Sequence, residues 1–186
     1  MDQTSCLAGQ FLLAMPGLGD PRFERSVIAM CAHDHGGAFG ICTHAELEGL
    51  CVPDLMRQLD IDPQATPPRP LLRGGPVETQ RGFVLHSPDY RGQDTVHVSG
   101  RWALTGTRDV LEAIAAGAGP AQWLAALGYA GWDSGQLEAE LAAGGWFPTP
   151  ATTGLLWETP PADRWRAGFA AAGVDVRMIS TRSGRA

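Results

Sequence analysis

The sequence predicts an α+β fold, and three observations carry that prediction. Apolar runs of strand length, each closed by a Gly, Pro or Asp signal, dominate the first half of the chain. Capped segments with apolar residues one helical turn apart fill the last third. Nowhere do strands and helices alternate regularly, which separates this order from a doubly wound parallel sheet.

Taken in order, Gly9–Met15 reads as a short buried strand stopped by Pro16-Gly17. Asp20-Pro21-Arg22-Phe23 reads as a turn or a single helical turn, with Asp20 as its cap and Pro21 in first position. Ser26–His33 and Ala38–His44 are apolar runs around His35-Gly36-Gly37, so they predict a β-hairpin. Pro53–Leu59 predicts a helix with Leu55, Met56 and Leu59 on one face, and the Pro-rich Thr66–Pro70 predicts a loop. Gly82–His86, Thr95–Val98 and Trp102–Leu104 read as strands. Thr107 is expected to cap a helix carrying Val110, Leu111 and Ile114. Pro120 is expected to open another, with Trp123, Leu124 and Leu127 inward. Asp133 and Gln136 resemble a capping box ahead of Leu137 and Leu141. Gly154–Trp157 reads as a strand, and Thr159-Pro160 as the start of a last helix bearing Trp165 and Phe169.

The 186 residues, 44% hydrophobic and 18% charged, suit one compact domain over 1–180, with room for a small subdomain within about 50–100 and a tail at 181–186. The formal charge of −6 argues against a wide nucleic-acid footprint, which needs a basic face. All 14 basic residues are Arg, so Schiff-base, pyridoxal-phosphate and phosphate-loop lysine chemistry are excluded. The four Cys show no CxxC spacing, and the apolar FLLAM stretch is too short for a signal core or membrane span. A reduced, cytoplasmic protein without a membrane anchor is expected.

Three blocks are denser in Gly, Pro, Arg and aromatics than any helix or strand requires: Ala14–Ile41, Arg73–Ser87 and Ala126–Leu141. Together they resemble the AlgH/YqgE family, a widespread bacterial group of small uncharacterised proteins sometimes labelled transcriptional regulators. The resemblance spans roughly residues 8–180. It implies a bifurcated, partly barrel-like mixed sheet surrounded by helices, and regulation of gene expression as a possible role. The family pattern matches at Cys31 and His33. It carries an aliphatic residue and Asn where this chain has Cys42 and His44, and its Asn-Arg-Pro ending is replaced here by His44-Ala45-Glu46.

Several groups invite chemistry. In Arg73-Gly74-Gly75-Pro76 the glycines permit close backbone approach, and their amides with Arg73 and Arg81 suit an anion; a plain turn between strands is the alternative. Asp20, Arg22 and Arg25 adjoin a buried strand, as an ion pair fixing the chain or as ligand contacts. Cys31-x-His33 and Cys42-x-His44 on paired strands bring soft ligands near one another, but flat strands seldom converge four on one zinc ion. Cys31 in an apolar run reads as an inert thiol rather than a nucleophile, and His86-Ser87 lacks the frame of an acyl-transfer site. Gly128–Asp133 reads as a chain reversal between two helices, with Tyr129 and Trp132 in a core corner. The sequence therefore points to a non-catalytic binding protein that uses no metal or cofactor and does not bind DNA directly; its partner is a protein or a small anion. The rival reading is an enzyme or anion receptor using Asp20, Arg22, Arg25, His33, Arg73, Gly74, Gly75 and Arg81.

Overall fold

In a computed structural model, residues 6–179 are described; the tail expected at 181–186 lies outside them. Strand β1 (Gln10–Ala14) runs from the first apolar block into a 3-10 turn at Pro21–Phe23, capped by Asp20 as expected. The hairpin follows as β2 (Val27–Asp34) and β3 (Gly37–Cys42), with the Asp34 carboxylate accepting from the Gly36 amide at 2.7 Å in the turn. Then come β4 (Glu46–Cys51), α1 (Val52–Gln58), β5 (Pro70–Arg73), β6 (Val77–His86), β7 (Thr95–Val98), β8 (Trp102–Thr105) and α2 (Asp109–Ala115). The chain closes with β9 (Trp123–Asp133), α3 (Gln136–Ala142), β10 (Trp146–Pro150), the single-turn α4 (Gly154–Trp157) and α5 (Arg164–Ala171).

The strands lie in the order β10-β1-β2-β3-β9-β6-β8-β7, antiparallel throughout, and β9 is where this sheet divides. Its first half pairs with β6 on one side and, in parallel, with β5 on the other (Leu72 opposite Ala126). Its second half pairs with β3, Ala38 opposite Trp132. Gly128 sits between the halves at φ 76°, a conformation that glycine adopts without steric cost. A branched sheet of this kind curls into half a barrel, as the family resemblance implies.

The alternation of side chains divides the core by face. Phe11, Leu13, Val27, Ala29, Phe83 and Leu124 point into the curl, where Trp102, Leu155, Leu156 and Phe169 complete one cluster beneath α4 and α5. Leu12, Ile28, Met30, Ala130 and Trp132 point outward and are covered by α3, Phe23 and Trp146. On the other branch, Val84, Trp123 and Ala125 pack under Val52 and Met56 of α1 and under Val110, Leu111 and Ile114 of α2.

Five expectations are corrected, the last of them in part. The helix expected from Pro120 is the start of β9: Trp123–Ala126 is buried on both faces, so it carries no polar alternation and looks like a helix. The chain reversal expected at Gly128–Asp133 is the second half of the same strand. Gly154–Trp157 is a helical turn, not a strand. Thr107 does not cap α2; its hydroxyl donates to the Asp109 carboxylate, and the cap position is Arg108. Of the Asp133–Gln136 pair only half forms: Gln136 Oε1 accepts from the Asp133 amide at 3.0 Å.

Candidate functional site

Two of the blocks meet. The 3-10 turn holds Arg22 by its own cap: the Asp20 carboxylate accepts from the Arg22 amide at 3.0 Å and from Nε and Nη2 at 2.7–3.2 Å. The Arg22 guanidinium in turn holds the Asp20 carboxyl below the usual carboxylate range. From the second block, β5 ends at the exposed Arg73 and passes through Gly74-Gly75-Pro76 into β6. Between them, β3 ends at Cys42, and the Thr43 amide and hydroxyl both donate to the Val27 carbonyl, at 2.8 and 3.1 Å. That double anchor fixes where His44 leaves the strand. Arg22, Cys42, His44, Arg73, Gly75 and Thr79 line one cavity of about 400 Å³, with Leu47, Pro76 and Leu127. That volume suits a small-molecule site.

The electrostatics of this cavity are one-sided. Among the described residues, Arg73 has no carboxylate within ion-pairing distance. His44 is brought down to about 4 by burial and by the charges of Arg164 and Arg73, so the ring is neutral near pH 7. Its Nδ1 is buried without a hydrogen-bond partner among the described residues. Behind it, Arg164 is 5% exposed. Its guanidinium donates to the carbonyls of Leu155 (3.2 Å), Thr159 (3.0 Å), Leu156 (2.7 Å) and Thr43. Burial lowers Arg164 to about 10, opposed by the Glu46 carboxylate, and leaves it cationic at neutral pH.

The remaining expected site residues lie elsewhere. Arg25, at φ 54°, has its guanidinium 5.8 Å from the Trp165 ring and lines a second cavity of about 430 Å³ with Pro16–Pro21. Arg81 pairs with Glu78 at 3.2 Å and lies over Phe83 at 5.0 Å. Gly74 uses its backbone structurally: its amide donates to Leu127 O and its carbonyl accepts from Cys42 N, both at 2.8 Å. A Cβ at Gly74 or Gly75 would overlap the backbone of Gly128 or Tyr129. The turn reading of the paired glycines thus has a physical basis in the branch of the sheet.

His33 belongs to the outer face. Its Nδ1 accepts from the Leu7 amide at 3.2 Å, which leaves Nε2 to carry the proton and donate to Glu138 at 2.9 Å. The register shifts between Met30 and Ala32, so Cys31 is an extra residue and the side-chain alternation reverses beyond it. Cys31 faces the curl, whereas Cys42 packs on the opposite face opposite Ile28. The bulge separates Cys31 from His33, the regular register before it already separates Cys31 from Cys42, and burial pushes both thiols up to about 12. Nor do Ser87 and His86 form a nucleophile pair. His86 is bonded to the Ser87 carbonyl and the Thr105 hydroxyl, each at 2.8 Å, while the Ser87 hydroxyl donates to Asp89.

Sequence reasoning weighed His44 only as a metal ligand and missed Arg164. His44, two residues past the end of β3, carries no local signal of the cations that surround it. Arg164, in a helix of ordinary amphipathic composition, gives no signal of its burial.

A branched, mostly antiparallel sheet curled into half a barrel, with short helices outside and two closing it, defines this chain as an α+β half-barrel protein. Within that class the chain belongs to the AlgH-like family, whose DUF179 model matches residues 11–177. It is 53% identical over 186 residues to a UPF0301 protein of Rhizorhabdus wittichii, covering 100% of both chains. It is also 53% identical to one of Sphingopyxis alaskensis, over 96% of this chain and 95% of that one. The solution structure of AlgH from Pseudomonas aeruginosa superposes with a TM-score of 0.77 at 38% identity, covering 100% of this chain and 99% of that one. A Corynebacterium diphtheriae crystal structure at 21% identity shares the fold, with a TM-score of 0.74 over 98% of this chain and 95% of that one. Among the described residues no helix is long and apolar enough to cross a membrane.

Proposed function

We propose that this chain is a cytoplasmic, single-domain protein that acts by binding rather than by catalysis, and that the Arg22–His44–Arg73 cavity receives a small anion. One observation supports this reading above the others: cations from two sequence-distant blocks line one cavity, and Arg73 there has no ion-pair partner among the described residues. A positive pocket in a chain of net charge −6 selects small anions by field and geometry, while the negative surface disfavours long polyanions. Any role in transcription is therefore indirect, through a ligand or a protein partner.

The test is a titration of ¹⁵N-labelled protein with short organic anions. Resonances of Arg73, Gly75 and Thr79 are expected to shift together. Arg73→Gln should weaken binding by tenfold or more, roughly the value of one charge-assisted hydrogen bond, whereas Arg81→Gln should leave it unchanged. Equal binding by wild type and Arg73→Gln would sink the proposal.

A further inference from the structure

We propose that this cavity takes up a proton together with its ligand, through His44, and that the ligand is an amphiphilic anion with an acidic head and a short apolar body. The inference rests on the anion-site reading above and adds two properties to it, its chemistry and its pH dependence.

The apolar body follows from the walls. Leu47, Leu127 and Pro76 face the cavity beside the arginines, and Cys42 adds a thiol raised to about 12 by burial, hence neutral. A bare inorganic anion would leave these groups in water. A short alkyl or aryl body removes their surface from it.

The proton follows from what surrounds His44. Toward it from β5 comes the charge of Arg73, and from α5 that of Arg164, whose own field is offset by Glu46 of β4. From the 3-10 turn comes Arg22, already paired with Asp20. From β3 comes the neutral Cys42. A ring between cations, with its Nδ1 buried and unpartnered among the described residues, stays neutral until the pH falls to about 4. An anion in the cavity changes this balance: its charge cancels the repulsion from Arg73 and Arg164, and the imidazolium is favoured. The proton comes from solvent and resides on the His44 ring in the complex. Affinity then rises as pH falls, by at most about tenfold per unit for one coupled proton.

The experiment is isothermal titration calorimetry with hexanesulfonate, whose charge is constant between pH 5 and 8. Methanesulfonate serves as the short comparison, and each titration is run in two buffers of different ionisation enthalpy. Hexanesulfonate is expected to bind more tightly from pH 7 to pH 5, with a buffer-dependent heat that reports proton uptake. It should also bind at least about tenfold more tightly than methanesulfonate. His44→Gln should bind it without pH dependence, and Arg73→Gln should bind it weakly at every pH. Tight binding with no pH dependence and no buffer-dependent heat would overturn the proton coupling and leave the anion site standing. Equal affinity for the two sulfonates would overturn the amphiphile. Binding of neither, at any pH, would overturn this inference and the anion-site reading together.

Discussion

Glu140 shows how much one side chain can settle on the outer face. One of its oxygens accepts from both Trp132 Nε1 (2.9 Å) and Trp146 Nε1 (2.7 Å), and the other accepts from Gln136 at 2.9 Å. The two indoles meet edge to face at 5.8 Å, and Phe23 closes the group at 5.6 Å from Trp146. Trp132 is 6% exposed. Trp132→Ala should therefore cost about 3–5 kcal/mol in a urea denaturation series, a loss of packing that leaves the cavity lining untouched. An unchanged midpoint would mean that Trp132 is not part of the core. The sequence placed Trp132 in a corner between helices, and the burial was legible though the setting was not. Asp20 capping the turn was likewise legible, because its partner is two residues away. His44 was not, since its environment is assembled from Arg73 and Arg164, which are distant in sequence.

At the scale of elements, β9 explains most of what went unread. A strand buried on both faces and rich in Ala and Leu has the composition of a helix, and only its neighbours decide otherwise. β10 was missed for a different reason. Its Pro148 and Pro150 argue against a strand, yet it is an edge strand paired only with β1, where the missing amides cost least. The hairpin β2–β3 was legible from its turn residues, and the helices α1, α2 and α3 from apolar residues one helical turn apart. The Gly74-Gly75 turn also belongs to β9. Gly75 adopts φ 152° with its Cα against the Tyr129 backbone. Gly75→Ala should cost about 3 kcal/mol or more, because neither strand can retreat without breaking the branch. Loss of soluble protein, or a thermal midpoint well below wild type, is the expected result; a wild-type midpoint would show that β5 and β9 can move apart.

For the whole molecule, charge and architecture set the partners. A chain of net charge −6 with no lysine should bind duplex DNA only weakly and without sequence preference, with Kd at or above about 1 µM near physiological salt. Fluorescence anisotropy with unrelated duplexes measures this; sub-micromolar, sequence-selective binding would restore a direct regulatory role. The architecture also has a consequence in time. β1 pairs with β10, Trp165 Nε1 donates to the Ala14 carbonyl at 2.9 Å across 151 positions, and Arg164 reaches Thr43 across 121. During synthesis the first three strands emerge long before β9, β10 and α5 exist to cover them. The free edge of β3 and the unfilled curl must wait for the end of the chain, so folding completes late and slowly. A nascent chain halted before β9 is thus the form most exposed to edge-to-edge association, and the one a chaperone would need to meet.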